Sequence, residues 1–164
     1  GREGHRRAGG RAARGAGGLR ALGHRHRMST HRHLALFALV VDDYDTAIRH
    51  YVDDLGFTLV CDEDRGNGKR WVEVTPSPAS QCRVLLAKAA TEAQKTRIGD
   101  QTGGRVGFFL HTDDFDRDHA AMSARGVRFA ETPRDEPYGK VVVFIDRYGN
   151  RWDLIQPAAH GGLA

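Results

Sequence analysis

Phe37-Ala38-Leu39-Val40-Val41-Asp42-Asp43-Tyr44-Asp45 returns 71 residues later as Phe108-Phe109-Leu110-His111-Thr112-Asp113-Asp114-Phe115-Asp116. Each copy is an apolar run, an acidic pair and an aromatic residue. A helical stretch follows, closed by Gly56 in the first copy and Gly126 in the second. Internal similarity at this spacing marks a duplicated module. Two such modules packed together can enclose a pocket, since ligand sites favour interfaces of this kind.

Working outward, Leu34 to Val41 is a continuous apolar run of strand length. Asp43 or Asp45 can cap the helix that follows. Ala47, Ile48, Tyr51, Val52 and Leu55 fall at spacings of three and four, which predicts one buried stripe. Phe57 to Cys61 reads as a second strand, Asp62 to Lys69 as a turn around Gly66-Asn67-Gly68, Trp71 to Val74 as a third strand and Arg83 to Leu86 as a fourth. Residues 89–104 read as a linker with a short polar helix. The second copy repeats the order, with strands over Arg105–Thr112, Val127–Ala130, Lys140–Ile145 and Arg151–Gln156 and a helix over Phe115–Arg125. A loop carrying Pro133 and Pro137 separates the second and third of these strands. The predicted class is α+β: two tandem β-α-β-β-β modules, 33–88 and 105–157, forming a curved mixed sheet around a cleft in a single domain over 28–164.

The net charge of +4 conceals a division. Residues 1–27 hold eight Arg against one Glu, so the remainder is net acidic. That Gly/Ala/Arg/His segment has only Leu19 and Leu22 as larger apolar residues and lacks the means to bury a core. Met28-Ser29-Thr30 follows it and reads as a natural start. Residues 1–27 are therefore expected to be a disordered, dispensable basic extension upstream of that start. No aromatic residue interleaves its arginines to stack on bases, so no nucleic-acid partner is expected. No apolar run reaches the ~18 residues of a membrane span. Cys61 and Cys82 form neither a metal-type cluster nor a disulfide framework, which makes a reducing, cytoplasmic setting the expectation.

The two modules, their Asp-Asp-Tyr-Asp and Asp-Asp-Phe-Asp starts, and the ending Asp146-Arg147-Tyr148-Gly149-Asn150-Arg151-Trp152-Asp153-Leu154-Ile155-Gln156 resemble the vicinal oxygen chelate superfamily. That group includes glyoxalase I, extradiol dioxygenases and bleomycin-resistance proteins. The resemblance covers roughly residues 33–157 and implies the glyoxalase/bleomycin resistance fold and a homodimer. In metal-dependent members, one ligand stands on the first and last strand of each module. Carried onto this chain, those four positions are Leu36, Leu85, Gly107 and Asp153. Only Asp153 offers a donor, whereas a catalytic divalent ion ordinarily takes three protein ligands. No cofactor is therefore expected.

Side chains two apart share a face of a strand. By that count Arg83 joins Leu85, Phe109 and His111 join Gly107, and Arg151 joins Asp153. The candidate ligand-binding set is Leu36, Arg83, Leu85, Gly107, Phe109, His111 and Asp153, with Glu73 and Tyr138 as further residues whose faces the pattern leaves open. His111 and Asp153 are the candidate catalytic pair, because a carboxylate-oriented His can act as a general base. Equally, His111 can simply end its strand in contact with water, and Arg83 can form a structural ion pair with Asp153. His31 and His33 read as solvated, and the paired aspartates as helix caps. Trp71 and Trp152 read as core or interface anchors. The functional expectation is a metal-independent small-molecule binding protein that sequesters a compound or runs a metal-free reaction. The alternative is a divalent-metal lyase, isomerase or dioxygenase using a non-standard ligand set that includes Asp153.

Overall fold

A computed structural model describes residues 31–159. The expected disordered extension over 1–27 and the Met28 start lie outside the described residues. The folded unit begins at His33.

Both helices start as the acidic pairs require. Asp43 caps α1 (Tyr44–Arg49) by accepting the Thr46 N–H at 2.9 Å, and Asp114 caps α3 (Phe115–Ala124) by accepting the Arg117 N–H at 3.0 Å. A cap of this kind satisfies a backbone donor that the helix itself leaves unpaired. α1 runs on into a π-helical turn, His50–Asp54. From the capped aromatic to the closing glycine, the first module (44 to 56) holds one residue more than the second (115 to 126), and the wide turn absorbs it. Gly56 and Gly126 end the two helical segments at φ 76° and 83°, the left-handed conformation that favours glycine at this place.

The strands are β1 (Leu36–Val41), β2 (Thr58–Gly66), β3 (Lys69–Thr75), β4 (Arg83–Lys88), β5 (Val106–His111), β6 (Arg128–Phe129), β7 (Arg134–Glu136), β8 (Gly139–Ile145) and β9 (Arg151–Pro157). A single turn of helix, α2 (Glu92–Lys95), lies in the linker. The α+β class and the tandem modules are present, and each module builds its own mixed sheet. The orders are β1-β4-β3-β2 and β5-β9-β8-β6, with β7 added on β8. β1 pairs with β4, and β5 with β9, in parallel; the other pairs are antiparallel. Two details differ from the sequence expectation. β2 continues to Gly66 because Asp62, Glu63 and Asp64 pair with Val72, Trp71 and Arg70, and Arg70 bonds Asp62 and Asp45. β7 falls in the stretch read as a loop, since three charged or acidic residues give no apolar period to detect.

Alternate strand residues point into one core. Leu39, Val41, Val72, Val74, Val84 and Leu86 from the first sheet join Val142, Phe144, Trp152 and Leu154 from the second, with Tyr51, Leu55, Phe115 and Met122 from the helical segments. The modules thus present their helix-bearing faces to each other. Tyr51 and Phe57 of the first module lie 6.1 Å from Trp152 of the second, and Phe37 stacks on Phe108 at 5.2 Å. Burying side chains of this size contributes about 1.5–3 kcal/mol each. The other face of each sheet lies on the far side of this shared core. The two faces that carry the candidate residues therefore do not meet across this core within one chain.

The inter-module joint centres on Asp146, which is 2% exposed. Its Oδ1 accepts the backbone N–H groups of Tyr148, Gly149 and Asn150; its Oδ2 accepts from the Tyr51 hydroxyl at 2.6 Å, the Asn150 amide and the Trp152 indole. One carboxylate holds the β8–β9 turn and ties it to the helix of the other module.

Candidate functional site

The outward face of the first sheet is built across four strands. Ala38, Leu85, Glu73 and Cys61 occupy successive partner positions on β1, β4, β3 and β2. Leu36 pairs with Arg83 at the next position on the same face. Glu73 is its polar centre. It accepts the Trp71 indole N–H at 2.7 Å and pairs with Arg83 at 3.0 Å. The indole hydrogen bond and then the guanidinium hold the Glu73 carboxyl below the usual carboxylate range. Trp71 is 36% exposed, so unlike Trp152 it is no part of the core. Its ring stands on the same face as Glu73 with the Arg65 guanidinium 5.8 Å away. Arg83 therefore answers to Glu73 rather than to Asp153.

The outward face of the second sheet has Phe109, Asp153 and Val143 as partners across β5, β9 and β8. Phe109 is 62% exposed. Asp153 is only 7% exposed, and its Oδ1 has no hydrogen-bond partner among the described residues. Burial pushes this carboxyl up; the nearby Arg134 opposes the shift and Glu131 adds to it. Arg134 does not rescue Asp153 because its guanidinium is committed to Glu131 and Glu136. His111 lies at the end of β5, opposite Ile155, and is exposed. The His111–Asp153 bond that a general-base pair needs is not among the hydrogen bonds of the described residues.

Gly107 has a structural reason of its own. A Cβ there would lie 2.2 Å from Cγ2 of Thr102, whose hydroxyl donates to the Arg105 carbonyl. A side chain at this position would have to displace that of Thr102 in the linker. Leu36 and Leu85 are half-buried apolar residues. Among the described residues there is no group of three His, Cys, Asp or Glu placed to hold a metal. The donor set among the described residues thus does not fit the four-position metal site that the resemblance implies.

The structure brings Leu36, Arg83 and Leu85 together on one face and Phe109 and Asp153 on the other. It does not bring the two groups together within one chain. Of the two places expected for Trp71, core or interface, the structure rules out the core. The signal was present in the two-residue spacing to Glu73, which puts indole and carboxylate on one face.

Residues 33–154 match the family model for the Glyoxalase/Bleomycin resistance protein/Dioxygenase superfamily. An uncharacterised protein of Shewanella frigidimarina (strain NCIMB 400) is 48% identical over 120 residues, spanning 73% of this chain and 89% of its own. Among solved structures, UcmS2 superposes with a TM-score of 0.67 at 26% identity, covering 76% of this chain and 97% of that one. TnmS3, an antibiotic binding protein from Streptomyces sp. CB03234, gives a TM-score of 0.64 at 30% identity, covering 79% and 99%. No helix among the described residues is long and apolar enough to cross a membrane. With three quarters of its length matched in sequence and fold, the chain belongs to the Glyoxalase/Bleomycin resistance protein/Dioxygenase superfamily.

Proposed function

We propose that this chain is a metal-independent small-molecule binding protein that sequesters its ligand, and that a second copy of the chain completes the cleft. The observation that carries this reading is the division of the candidate residues between two outward faces. Each face has an exposed aromatic ring, Trp71 or Phe109, beside a carboxylate. A two-fold dimer places one face of each copy against the other face of its partner, which gives two equivalent clefts. Leu36, Arg83 and Leu85, with Trp71 and Glu73, would form one wall. Gly107, Phe109 and Asp153 would form the other, with His111 at its end. Aromatic rings supply contact area for a flat, partly apolar ligand, and a few placed polar groups fix its orientation. The likeness to an antibiotic binding protein supports the class of ligand. The free thiols of Cys61 and Cys82 suit a cytoplasmic setting.

The test is a thermal-shift screen of aromatic natural products followed by recovery of the bound compound. Ligand at about 100 times its dissociation constant adds roughly 2.7 kcal/mol of stability. Sequestration predicts that the compound is recovered unchanged from protein stripped of metal by chelation. Recovery of a converted product, or binding that returns only on adding a divalent ion, contradicts the proposal.

A further inference from the structure

β1 and β5 are edge strands of their two sheets. They come together at Phe37, whose ring stacks on Phe108 at 5.2 Å. The linker covers part of this seam. Gln101 donates to the Ala38 carbonyl at 2.7 Å and accepts the Val40 N–H at 3.0 Å, so a side-chain amide pairs that stretch of β1. Toward the start of both strands the seam opens into a cavity of about 510 Å³. Buried Val84 and Trp152 and half-buried Phe37 and Phe108 stand on its wall, and exposed Leu34 and Phe109 line it as well. Ser80 and Cys82 supply its polar side chains. The Ser80 hydroxyl donates to the Cys82 carbonyl at 2.7 Å, which spends its proton on its own loop.

No charged residue is among those lining this cavity. An ionised occupant would lose its hydration there without gaining a partner. Phe37, Phe108, Phe109 and Trp152 give the lining four aromatic rings, and ring-to-ring contact adds to the gain from buried area. The volume lies within the range of small-molecule sites. Gly107 and Phe109 belong both to this cavity and to the second outward face, where Phe109 is the strand partner of Asp153. The cavity is therefore continuous with that face.

We propose that the cavity between β1 and β5 is the inner subsite of the cleft and takes an uncharged aromatic arm of the ligand. This inference rests on the cleft proposed above. The ligand class it names is an amphiphile, with polar groups held at the outward faces and an aromatic arm reaching past Phe109 into the seam. The probes are N-phenylnaphthylamine, which is uncharged, and anilinonaphthalenesulfonate, the same skeleton carrying a sulfonate. Both fluoresce in apolar surroundings and are titrated into the full chain. The uncharged probe should bind at least about tenfold more tightly, because the sulfonate finds no partner in the cavity. At about ten times its dissociation constant it leaves roughly a tenth of the sites free, so iodoacetamide should alkylate Cys82 about tenfold more slowly, read by mass spectrometry. Cys61, on the first outward face beside Glu73, should keep its rate. Cys82→Phe fills the cavity and should abolish the probe's fluorescence, with circular dichroism confirming the fold; the alkylation rates of the wild type decide the matter if that variant misfolds. No binding of the uncharged probe, equal affinity of the two probes, or an unchanged Cys82 rate overturns the proposal. The compound recovered from the screen separates subsite from cleft. If it loses affinity in Trp71→Ala yet leaves Cys82 alkylation unchanged, the subsite fails and the cleft stands. If the uncharged probe protects Cys82 but no compound depends on Trp71, the cavity stands as an aromatic site and the shared cleft fails.

Discussion

Asp146 and Asp153 are both buried carboxylates of the same closing segment, 2% and 7% exposed, yet their surroundings are opposite. Asp146 accepts six hydrogen bonds, three from its own turn and three from side chains that include Tyr51 of the other module. Asp153 has an oxygen that nothing among the described residues satisfies. A buried carboxylate with every lone pair used is a structural joint. One left short of partners is destabilising on its own. It has a use only if something else supplies the missing donor. The contrast gives Asp146 a role in the fold, and it supports the binding role proposed above for Asp153.

The largest effect should come from the joint. Asp146→Ala leaves the Tyr51 hydroxyl, the Asn150 amide, the Trp152 indole and the Tyr148 and Asn150 backbone N–H groups without this acceptor, while the Gly149 N–H keeps the backbone carbonyl of residue 146. It should cost at least about 3 kcal/mol in urea unfolding. A loss under about 1 kcal/mol would remove the distinction between the two carboxylates.

Asp153→Asn should act in the opposite direction. The folded carboxyl is pushed up by burial, so the fold holds its proton more tightly than the unfolded chain does. Stability from this group is fullest at low pH and declines as pH rises from the ordinary carboxylate range through the raised folded value. The variant lacks that decline. It should gain on the wild type as pH rises above the ordinary carboxylate range, measured as a difference in urea midpoint. A difference that stays flat over that rise contradicts this account of Asp153.

The smallest stability effect is expected at Trp71. Trp71→Ala should change stability by no more than about 0.5 kcal/mol, since the ring lies outside the core. It should nevertheless weaken the compound recovered from the screen several-fold. Calorimetry showing unchanged affinity would move the ligand off the first outward face.

The sequence carried the modules well because duplication repeats its own punctuation. The acidic caps at Asp43 and Asp114, the closing glycines and the apolar strands each recur with a local physical cause. β7 escaped because its residues Arg134–Glu136 carry no periodic apolar signal. The site was legible in part. Strand alternation placed Leu36, Arg83 and Leu85 on one face, and Phe109 and Asp153 on another. Which way each sheet faces is set by the packing of Tyr51 and Phe57 on Trp152, a long-range contact that alternation does not encode. The same limit explains Arg83, whose partner Glu73 stands on the neighbouring strand, and Gly107, whose small size answers to Thr102 in the linker.

The claim that two copies share each cleft is tested most directly by complementation. One variant carries Trp71→Ala with Glu73→Ala, the other Phe109→Ala with Asp153→Asn, and each alone should lose binding of the screened compound. In the proposed dimer, a mixed pair joins the intact first face of one copy to the intact second face of the other. Equal mixing with subunit exchange should therefore restore roughly a quarter of the wild-type binding capacity at wild-type affinity. If the mixture binds no more than either variant alone while mixed dimers form, each cleft belongs to one chain and the account is wrong.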